Sequence, residues 1–126
     1  LKQASKLNKQ YISKGKVRLQ KGECSVLPFD NESFNKLCSI NTLYFWKEPD
    51  KYFSEMFRVI KSGGKSVIGF RDEKQMSSLN LSEDVFKTYS QDDVVNLLSY
   101  AGFSGAHIEE KQGTPFISYC AVANKS

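Results

Sequence analysis

Two short polar segments each follow an apolar run, and they are the positions where this chain could carry ligand chemistry. Gly22-Glu23-Cys24 comes after the run from Val17 to Leu19, and Ser39-Ile40-Asn41 closes the run that begins at Asn35. Ligands of open α/β sheets bind just beyond the carboxyl ends of the strands. An ionised carboxylate accepts hydrogen bonds, and an amide side chain both donates and accepts them. We therefore expect the binding groups of this protein at these two strand ends.

The first third of the chain predicts one helix and two strands. Apolar residues at helical spacing predict a helix from Leu1 to Ser13. The run from Val17 to Leu19 alternates with charged neighbours, which predicts a short strand. Pro28 then turns the chain, because proline cannot continue a helix. The apolar run from Asn35 to Ile40 fits a central parallel strand.

The middle of the chain predicts a helix and the next strand. Pro49 suits the first turn of a helix, and apolar residues at helical spacing continue to Ile60. Ser62-Gly63-Gly64 is predicted to end this helix, since glycine takes the left-handed cap conformation. Ser66–Phe70 is the next strand, so a right-handed crossover and a parallel sheet are expected. The segment from Arg71 to Asp84 is polar and predicts irregular structure.

The last third predicts another helix and a hairpin. Ser90 suits the N-cap of that helix and Gly102 its C-terminal cap. Ala106–Ile108 and Phe116–Ala121 read as the last two strands. The short Gly113-Thr114-Pro115 link between them permits only antiparallel pairing. The sequence thus predicts a single α/β domain over residues 1–126.

The amino-acid composition limits the classes of protein to which this chain can belong. The 126 residues are 40% hydrophobic and 25% charged, which is ordinary for a soluble globular domain. No apolar run approaches the roughly 20 residues that cross a bilayer, and no signal peptide is recognisable. Cys24, Cys38 and Cys120 have no C-x-x-C spacing, so neither a metal site nor a disulfide framework is indicated. Reduced thiols of this kind suit a cytoplasmic protein.

The net charge of +4 is concentrated at the N-terminus. Leu1 to Lys21 contains seven Lys and Arg residues and no acid, and such a segment can attract a polyanion. A nucleic-acid site usually combines aromatic with basic residues, and this segment has only Tyr11. A solvated helix face is the favoured interpretation, and nucleic acid is not the favoured partner.

Four motifs occur in one order along the chain. Gly22–Phe29 reads G-E-C-S-V-L-P-F, and Asp30–Asn35 reads D-N-E-S-F-N. Glu55–Gly64 reads E-M-F-R-V-I-K-S-G-G, and Ala101–Phe103 reads A-G-F. They are similar to G-D-A-x-x-L-P-F, D-x-x-F-D, E-x-x-R-V-L-K-P-G-G and A-G-F of class I S-adenosylmethionine-dependent methyltransferases. In order and spacing the chain resembles the type 11 branch, which acts largely on small molecules.

The resemblance implies a Rossmann-like sheet with strand order 3-2-1-4-5-7-6, in which strand 7 is antiparallel. This chain would supply the equivalents of strands 3, 4, 5, 6 and 7, which is an incomplete sheet. The family's acid followed by G-x-G-x-G, which holds the cofactor, has no counterpart in this sequence. The resemblance therefore covers roughly the C-terminal half or more of a catalytic domain, and we expect a truncated form.

The resemblance also implies a cofactor site. An adenine ring needs an acceptor for its amino group and a donor for a ring nitrogen, and the Glu23 carboxylate and the Cys24 amide would supply them. The family more often has Asp at the first position. The second strand end, Ser39-Ile40-Asn41, would approach the methionine part of S-adenosylmethionine. A surface turn at Glu23 and a loop cap at Asn41 are the competing interpretations.

Tyr44, Phe45 and Trp46 would wall the substrate pocket, since pockets are commonly aromatic; core packing is the competing interpretation. Methyl transfer depends more on alignment than on a strong base, and no catalytic residue is identified. The lone His107 falls in a late strand, where a packing or surface role is expected.

We therefore expect a fragment or truncated form of an S-adenosylmethionine-dependent methyltransferase with a small-molecule acceptor. As a chain on its own, it is expected to be inactive or to bind the cofactor weakly, so its status as an enzyme stays open. The alternative is a non-catalytic α/β interaction domain or half of a two-chain enzyme. Missing strands would leave an unpaired sheet edge, and such edges favour pairing with another chain, here a homodimer.

Overall fold

A mixed sheet with helices packed against it forms the domain in a computed structural model, which describes residues 2–77, 87–112 and 117–126. The strands are β1 (Phe34–Ile40), β2 (Ile60–Phe70), β3 (Ser104–Gln112) and β4 (Ile117–Asn124). The helices are α1 (Lys2–Leu7), α2 (Lys9–Ser13), α3 (Pro49–Val59), α4 (Glu73–Ser77) and α5 (Gln91–Ala101), with a 3₁₀ turn at Leu43–Phe45.

The four strands lie in the order β1-β2-β4-β3. β1 and β2 are parallel, with Cys38 opposite Val67, and α3 connects them. β4 runs antiparallel to both β2 and β3. The predicted parallel pairing of β1 and β2 and the antiparallel pairing of β3 and β4 are confirmed, and so is the α/β, Rossmann-like fold class. The Gly113-Thr114-Pro115 link lies outside the described residues.

The core lies between the sheet and the two long helices. Phe53 of α3, Ile60 and Ile68 of β2, and Val94 and Leu98 of α5 have no exposed surface. Burying one side chain of this size contributes about 1.5–3 kcal/mol. This packing holds α3 and α5 against the sheet and leaves β1 at its edge.

Two capping predictions for α5 are confirmed. The Ser90 hydroxyl accepts a hydrogen bond from the Asp93 amide, and the Asp93 carboxylate accepts one from the Ser90 amide. At the other end Gly102 has a φ of 112° and its amide donates to the carbonyls of Leu98 and Ser99. Both caps depend only on neighbouring residues, so the sequence was sufficient to find them.

The predicted strand at Val17–Leu19 is wrong: the structure assigns no strand there, and the sheet formed by the described residues has four strands, the equivalents of strands 4, 5, 6 and 7. The amides of Lys16 and Val17 donate instead to the Tyr11 carbonyl, at 2.9 and 3.2 Å. A strand forms only where a neighbouring strand exchanges hydrogen bonds with it. The sheet ends at β1, and the described partner of β1 is β2, so the segment 17–19 is not part of the sheet.

The helix predicted over Leu1–Ser13 is interrupted. α1 and α2 are separated at Asn8, whose side-chain amide donates to the Ala4 carbonyl at 2.9 Å. Neither short helix has a buried residue. Most helix stability in proteins comes from packing of an apolar face, and here no such packing sustains a continuous helix.

The glycine cap predicted at Ser62-Gly63-Gly64 is also wrong. α3 ends at Val59, and Ile60 is already extended, with φ −84° and ψ 136°. The glycines lie inside β2. Full burial of Ile60 outweighs the capping preference of the glycines. The segment Arg71–Asp84, predicted to be irregular, contains α4 in its described part, while residues 78–86 lie outside the described residues.

Replacing Gly64 with alanine is expected to lower the free energy of unfolding by about 1–3 kcal/mol, the usual cost of overpacking. The added Cβ would lie 2.6 Å from the Asn35 carbonyl oxygen and 2.8 Å from that of Lys61, and backbone atoms cannot yield easily. Urea denaturation measures the change. Gly69→Ala is the control, because its Cβ would meet Ile40 at an ordinary 3.4 Å; equal losses in the two variants would contradict the prediction.

Candidate functional site

A cleft of about 320 Å³ lies beside the carboxyl half of β1. Four of the predicted site residues line it: Cys24, Ser39, Ile40 and Trp46. The remaining lining residues are mainly apolar and include Leu27, Leu37, Tyr52 and Met56. No lining residue carries a charge, so the cleft suits a weakly polar group.

The two residues with the most polar side chains in the prediction, Glu23 and Asn41, are not among the residues that line the cleft. Both are exposed. Glu23 belongs to a tight turn in which its carbonyl accepts a hydrogen bond from the Val26 amide at 3.1 Å. Asn41 has a φ of 55°, a conformation that asparagine tolerates better than most residues. Its amide donates to the Gly69 carbonyl at 2.9 Å and ends the β1 ladder.

Tyr44 connects the ends of the two parallel strands and is not among the residues that line the cleft. Its side chain is only 4% exposed. The hydroxyl donates to Asn41 Oδ1 at 3.1 Å and accepts from the Arg71 backbone N–H. Burial raises the pKa of Tyr44 above its usual value, which outweighs the opposing effect of the Arg71 contacts. The phenol therefore stays neutral and serves as a structural link.

The next two aromatic residues differ in their exposure to solvent. Phe45 is 54% exposed and does not line the cleft. Trp46 is buried, and its ring lies 4.9 Å from that of Tyr52 and 5.6 Å from that of Phe53. Of the three aromatic residues, Trp46 lines this cleft and Tyr44 and Phe45 do not; that the three wall a substrate pocket stays a prediction.

An ion pair on α3 holds the segment that carries Cys24. Arg58 Nε and Nη2 donate to the two carboxylate oxygens of Glu55 at 2.8 and 2.9 Å. Arg58 also donates to the carbonyls of Leu27 and Phe29, at 3.0 and 2.7 Å. Glu55 accepts a hydrogen bond from the Leu27 amide at 2.7 Å. We call this set of contacts the Glu55–Arg58 clamp.

The clamp explains two of the sequence motifs physically. Residues three apart share one face of a helix, so the E-x-x-R spacing presents a carboxylate and a guanidinium together. Pro28, between the two clamped residues, has no N–H to satisfy. Gly22 packs closely against the same proline, because a Cβ there would lie 3.0 Å from Pro28 Cδ. The sequence contained this signal, but its role as a support for the cleft was not predicted.

Two hydroxyl groups that line the cleft contact each other. The Ser39 and Thr42 hydroxyls hydrogen-bond to each other, and both residues line the cleft. Among the described residues, no three His, Cys, Asp or Glu side chains come together as metal ligands, and no helix is long and apolar enough to cross a membrane. His107 lies exposed on β3 and contacts Glu109 at 3.2 Å.

The methyltransferase domain family matches residues 1–68, which is more than half of the chain. Together with the fold, this match shows that the chain belongs to the methyltransferase domain family.

Similar proteins include two curated methyltransferases. The chain is 28% identical over 109 residues to the uncharacterized methyltransferase YdaC of Bacillus subtilis, covering 86% of this chain and 58% of YdaC. It is 31% identical over 110 residues to the arsenite methyltransferase of Halobacterium salinarum, covering 81% of this chain and 28% of that protein. The chain thus spans between about a quarter and three fifths of the length of these relatives.

A solved structure shows the same fold. It is a SAM-dependent methyltransferase, a possible histamine N-methyltransferase, from Thermotoga maritima. The TM-score is 0.73 at 19% identity, with 94% of this chain and 68% of that chain covered. At this identity the likeness concerns the fold alone.

Replacing Glu55 with glutamine is expected to lower the free energy of unfolding at pH 7 by about 1–2 kcal/mol, because a charge-assisted contact becomes a neutral one. Glu48→Gln, at the N-cap of the same helix, is the matched control: Glu48 pairs with Lys51, but both side chains are about 60% exposed, and little change is expected. Urea midpoints measure both variants.

The difference between Glu55→Gln and the wild type should depend on pH. The hydrogen bond from Arg58 lowers the pKa of Glu55 most, the Leu27 amide lowers it further, and burial opposes them. A carboxylate whose pKa is lowered by folding stabilises the fold above its unfolded pKa of about 4.3, and this contribution is lost as the pH falls through the folded pKa. The two stability curves should converge below about pH 4; a constant difference would contradict the role assigned to Glu55.

Proposed function

We propose that this chain is part of an enzyme that transfers a methyl group from S-adenosylmethionine to a small-molecule acceptor. The observation that carries the proposal is the position of the cleft, at the carboxyl end of β1, where Cys24 and the Ser39-Ile40 strand end meet. Strand ends of this kind are where open α/β sheets bind ligands. The family membership supports the reaction class. A cytoplasmic location, expected from the unpaired cysteines, stays a prediction.

The side chains of the cleft fit the adenosine part of the cofactor better than its charged part. An apolar and aromatic lining with Trp46 and Leu37 suits a purine ring, and the hydroxyls of Ser39 and Thr42 suit a ribose. The lining contains no cation for a carboxylate and no acid for an amino group or a ribose diol. The residues present would therefore hold adenosine, with much of the binding energy of the cofactor absent.

S-adenosylmethionine supplies an electrophilic methyl group on a sulfonium sulfur when it is bound. The contribution of this chain is to orient that group and to exclude water, through the apolar surface of Trp46 and Met56. A general base is needed only for an acceptor whose nucleophilic atom carries a proton that must be removed. The cleft has no such base, so the chain's own residues act by positioning.

The second candidate function, assembly with another chain, rests on the outer edge of β1. β1 pairs with β2 on one side. The Asn41 amide points to β2, and because backbone groups alternate along a strand, those of Lys36, Cys38 and Ile40 face the outer edge. Ile40 is 63% exposed. An unpaired edge with exposed apolar residues favours strand addition, and the simplest partner is a second copy of this chain.

The isolated 126-residue chain is expected to bind S-adenosylhomocysteine only weakly, with a dissociation constant on the order of 1 mM, corresponding to about −4 kcal/mol. Amide chemical-shift changes in a ¹⁵N spectrum should cluster at Cys24, Ser39, Ile40 and Thr42. Cys24→Trp should remove them by filling the cleft, whereas Val26→Trp, on an exposed residue outside the lining, should not.

Two results would count against this prediction in different ways. Micromolar affinity in titration calorimetry would overturn the expectation of weak binding. Shift changes confined to residues away from β1 would overturn the location of the site.

Wild-type protein is expected to show a mass that rises with concentration toward that of a dimer in multi-angle light scattering. Lys36→Pro should shift the equilibrium toward monomer, because proline removes an outward N–H without touching the ladder to β2. Lys36→Thr keeps the N–H and should behave as wild type, and thermal unfolding checks that both variants fold. A wild-type protein that stays monomeric at high concentration would contradict edge pairing.

A further inference from the structure

The two N-terminal helices carry apolar side chains that the rest of the domain does not cover. Neither α1 nor α2 has a buried residue. Leu7 is 75% exposed and Tyr11 is 48% exposed, although both belong to the apolar positions at helical spacing. Residues four apart lie on the same face of a helix. Leu7 and Tyr11 therefore form one exposed apolar stripe.

Helical hydrogen bonds continue across Asn8, the residue that separates α1 from α2. The Asn8 amide donates to the Ala4 carbonyl at 3.0 Å, and the Ile12 amide donates to the Asn8 carbonyl at 2.9 Å. Both bonds join residues four apart, as in an α-helix. The residues of α2 therefore stay in phase with those of α1, and the apolar stripe runs along both helices.

The end of this helical segment is also well defined. Gly15 has a φ of 73°, and its amide donates to the Ile12 carbonyl at 3.0 Å. The Lys16 amide donates to the Tyr11 carbonyl at 2.9 Å. This pair of bonds is the Schellman arrangement that ends helices at a glycine. The segment is thus a capped helix whose apolar stripe has no partner among the described residues.

The lysines of the two helices lie on another face. Lys2, Lys6 and Lys9 are separated by four and three residues, so they share one face of the helix. All three are exposed. At about 100° per residue, this face is nearly opposite the stripe of Leu7 and Tyr11. The helical segment is therefore amphipathic and its polar face is basic.

The charge of the molecule is concentrated in residues 2–21, which we call the basic segment. Seven of the 18 Lys and Arg residues and none of the 14 acids lie there, so the remainder of the chain has a net negative charge. The cations that follow the helices are exposed as well: Lys14, Lys16, Arg18 and Lys21. An anionic surface would attract the basic segment and repel the rest of the chain, which orients the molecule.

We propose that the basic segment binds the surface of a membrane that contains anionic lipids. A helix with one apolar side and a lysine-rich polar side lies in the plane of the interface, with its apolar side at the boundary of the acyl chains. Clusters of about four to eight basic residues on such a helix bind surfaces that contain phosphatidylserine. Leu7 and Tyr11 insert, and the cations stay near the headgroups. The helix lies on one side of the bilayer and does not cross it.

The apolar stripe favours a lipid surface over a nucleic acid. The phosphates of a nucleic acid would attract the lysines but would leave Leu7 in water. Single-stranded nucleic acids are bound by several aromatic residues together with cations, and Tyr11 is the only aromatic residue of the basic segment. A lipid surface provides partners for both faces of the helix. Membrane binding goes beyond methyl transfer and does not depend on it.

The test is co-sedimentation of the full 126-residue chain with vesicles. Vesicles of phosphatidylcholine with about one third phosphatidylserine should bind the wild-type protein, and vesicles of phosphatidylcholine alone should not. Binding should weaken as salt is added, because salt screens exposed charges.

The cations are tested with a triple variant of Lys2→Gln, Lys6→Gln and Lys9→Gln. It should bind the anionic vesicles at least tenfold more weakly, since each cation near an anionic surface contributes a factor of about five. The matched control combines Lys36→Gln, Lys61→Gln and Lys65→Gln. These three lysines are exposed on β1 and β2, so the control has the same net charge as the triple variant and should bind as the wild type does.

The apolar stripe is tested without any change of charge. Leu7→Ser and Tyr11→Ser should each weaken binding at least fivefold, because transfer of an apolar side chain out of water is lost. Tyr100→Ser is the control: Tyr100 is 92% exposed on α5, outside the basic segment, and its loss should change nothing. Urea midpoints equal to that of the wild type show that the variants still fold.

Tyr11→Trp reports insertion directly. The chain has one tryptophan, Trp46, which is already buried, so its emission is a constant background. Anionic vesicles should shift the emission of Tyr11→Trp to shorter wavelength, as the new ring leaves water, and should leave that of Tyr100→Trp unchanged.

Three results would overturn the proposal. One is wild-type protein that binds neither kind of vesicle, or both equally. Another is an equal loss of binding in the variants of the basic segment and in their controls. The third is a loss in the lysine variant with none in Leu7→Ser or Tyr11→Ser, which would identify the basic segment as a polyanion site that needs no lipid.

Discussion

The Glu55–Arg58 clamp is the interaction on which the cleft depends. The backbone between Leu27 and Phe29 lies outside the sheet, and its polar groups still need partners. Arg58 satisfies two carbonyls and Glu55 satisfies one amide. Exposed ion pairs contribute little by themselves; this one matters because both partners also bind backbone groups of a distant segment. Its effect is to join a loop that has no strand neighbour to α3, whose Phe53, Met56 and Val59 are buried.

The proposed cofactor site and the proposed assembly surface both involve β1, the strand at the edge of the sheet. α3 and α5 cover a face of the sheet, but neither covers the outer edge of β1. The cleft runs along that strand, and the exposed Ile40 belongs to both the cleft and the edge. A strand added by a second chain would therefore lie close to the proposed cofactor site. The proposed cofactor binding and the proposed assembly therefore involve the same strand.

The predictions that failed involve a competition between local preference and distant packing. Ser90 and Gly102 capped α5 as expected because the groups that they bind are a few residues away. Gly63 and Gly64 had the same local preference for a cap. Ile60, however, is completely buried, and β2 begins at that residue, before the glycines. The apolar alternation at Val17–Leu19 was insufficient because a strand exists only with a neighbour. A local sequence pattern does not indicate whether a neighbouring strand is present.

The sequence by itself determined the order of elements, the parallel crossover, the antiparallel hairpin and the resemblance to methyltransferases, because periodicity, link length and short motifs are local properties. Only the tertiary structure decided which predicted residues share the cleft. A 3₁₀ turn at Leu43–Phe45 advances by about three residues per turn. Tyr44 therefore enters the core, Phe45 faces solvent and Trp46 reaches the cleft. Contacts between residues nearly thirty positions apart, made by Glu55 and Arg58, then brought Cys24 to the same place.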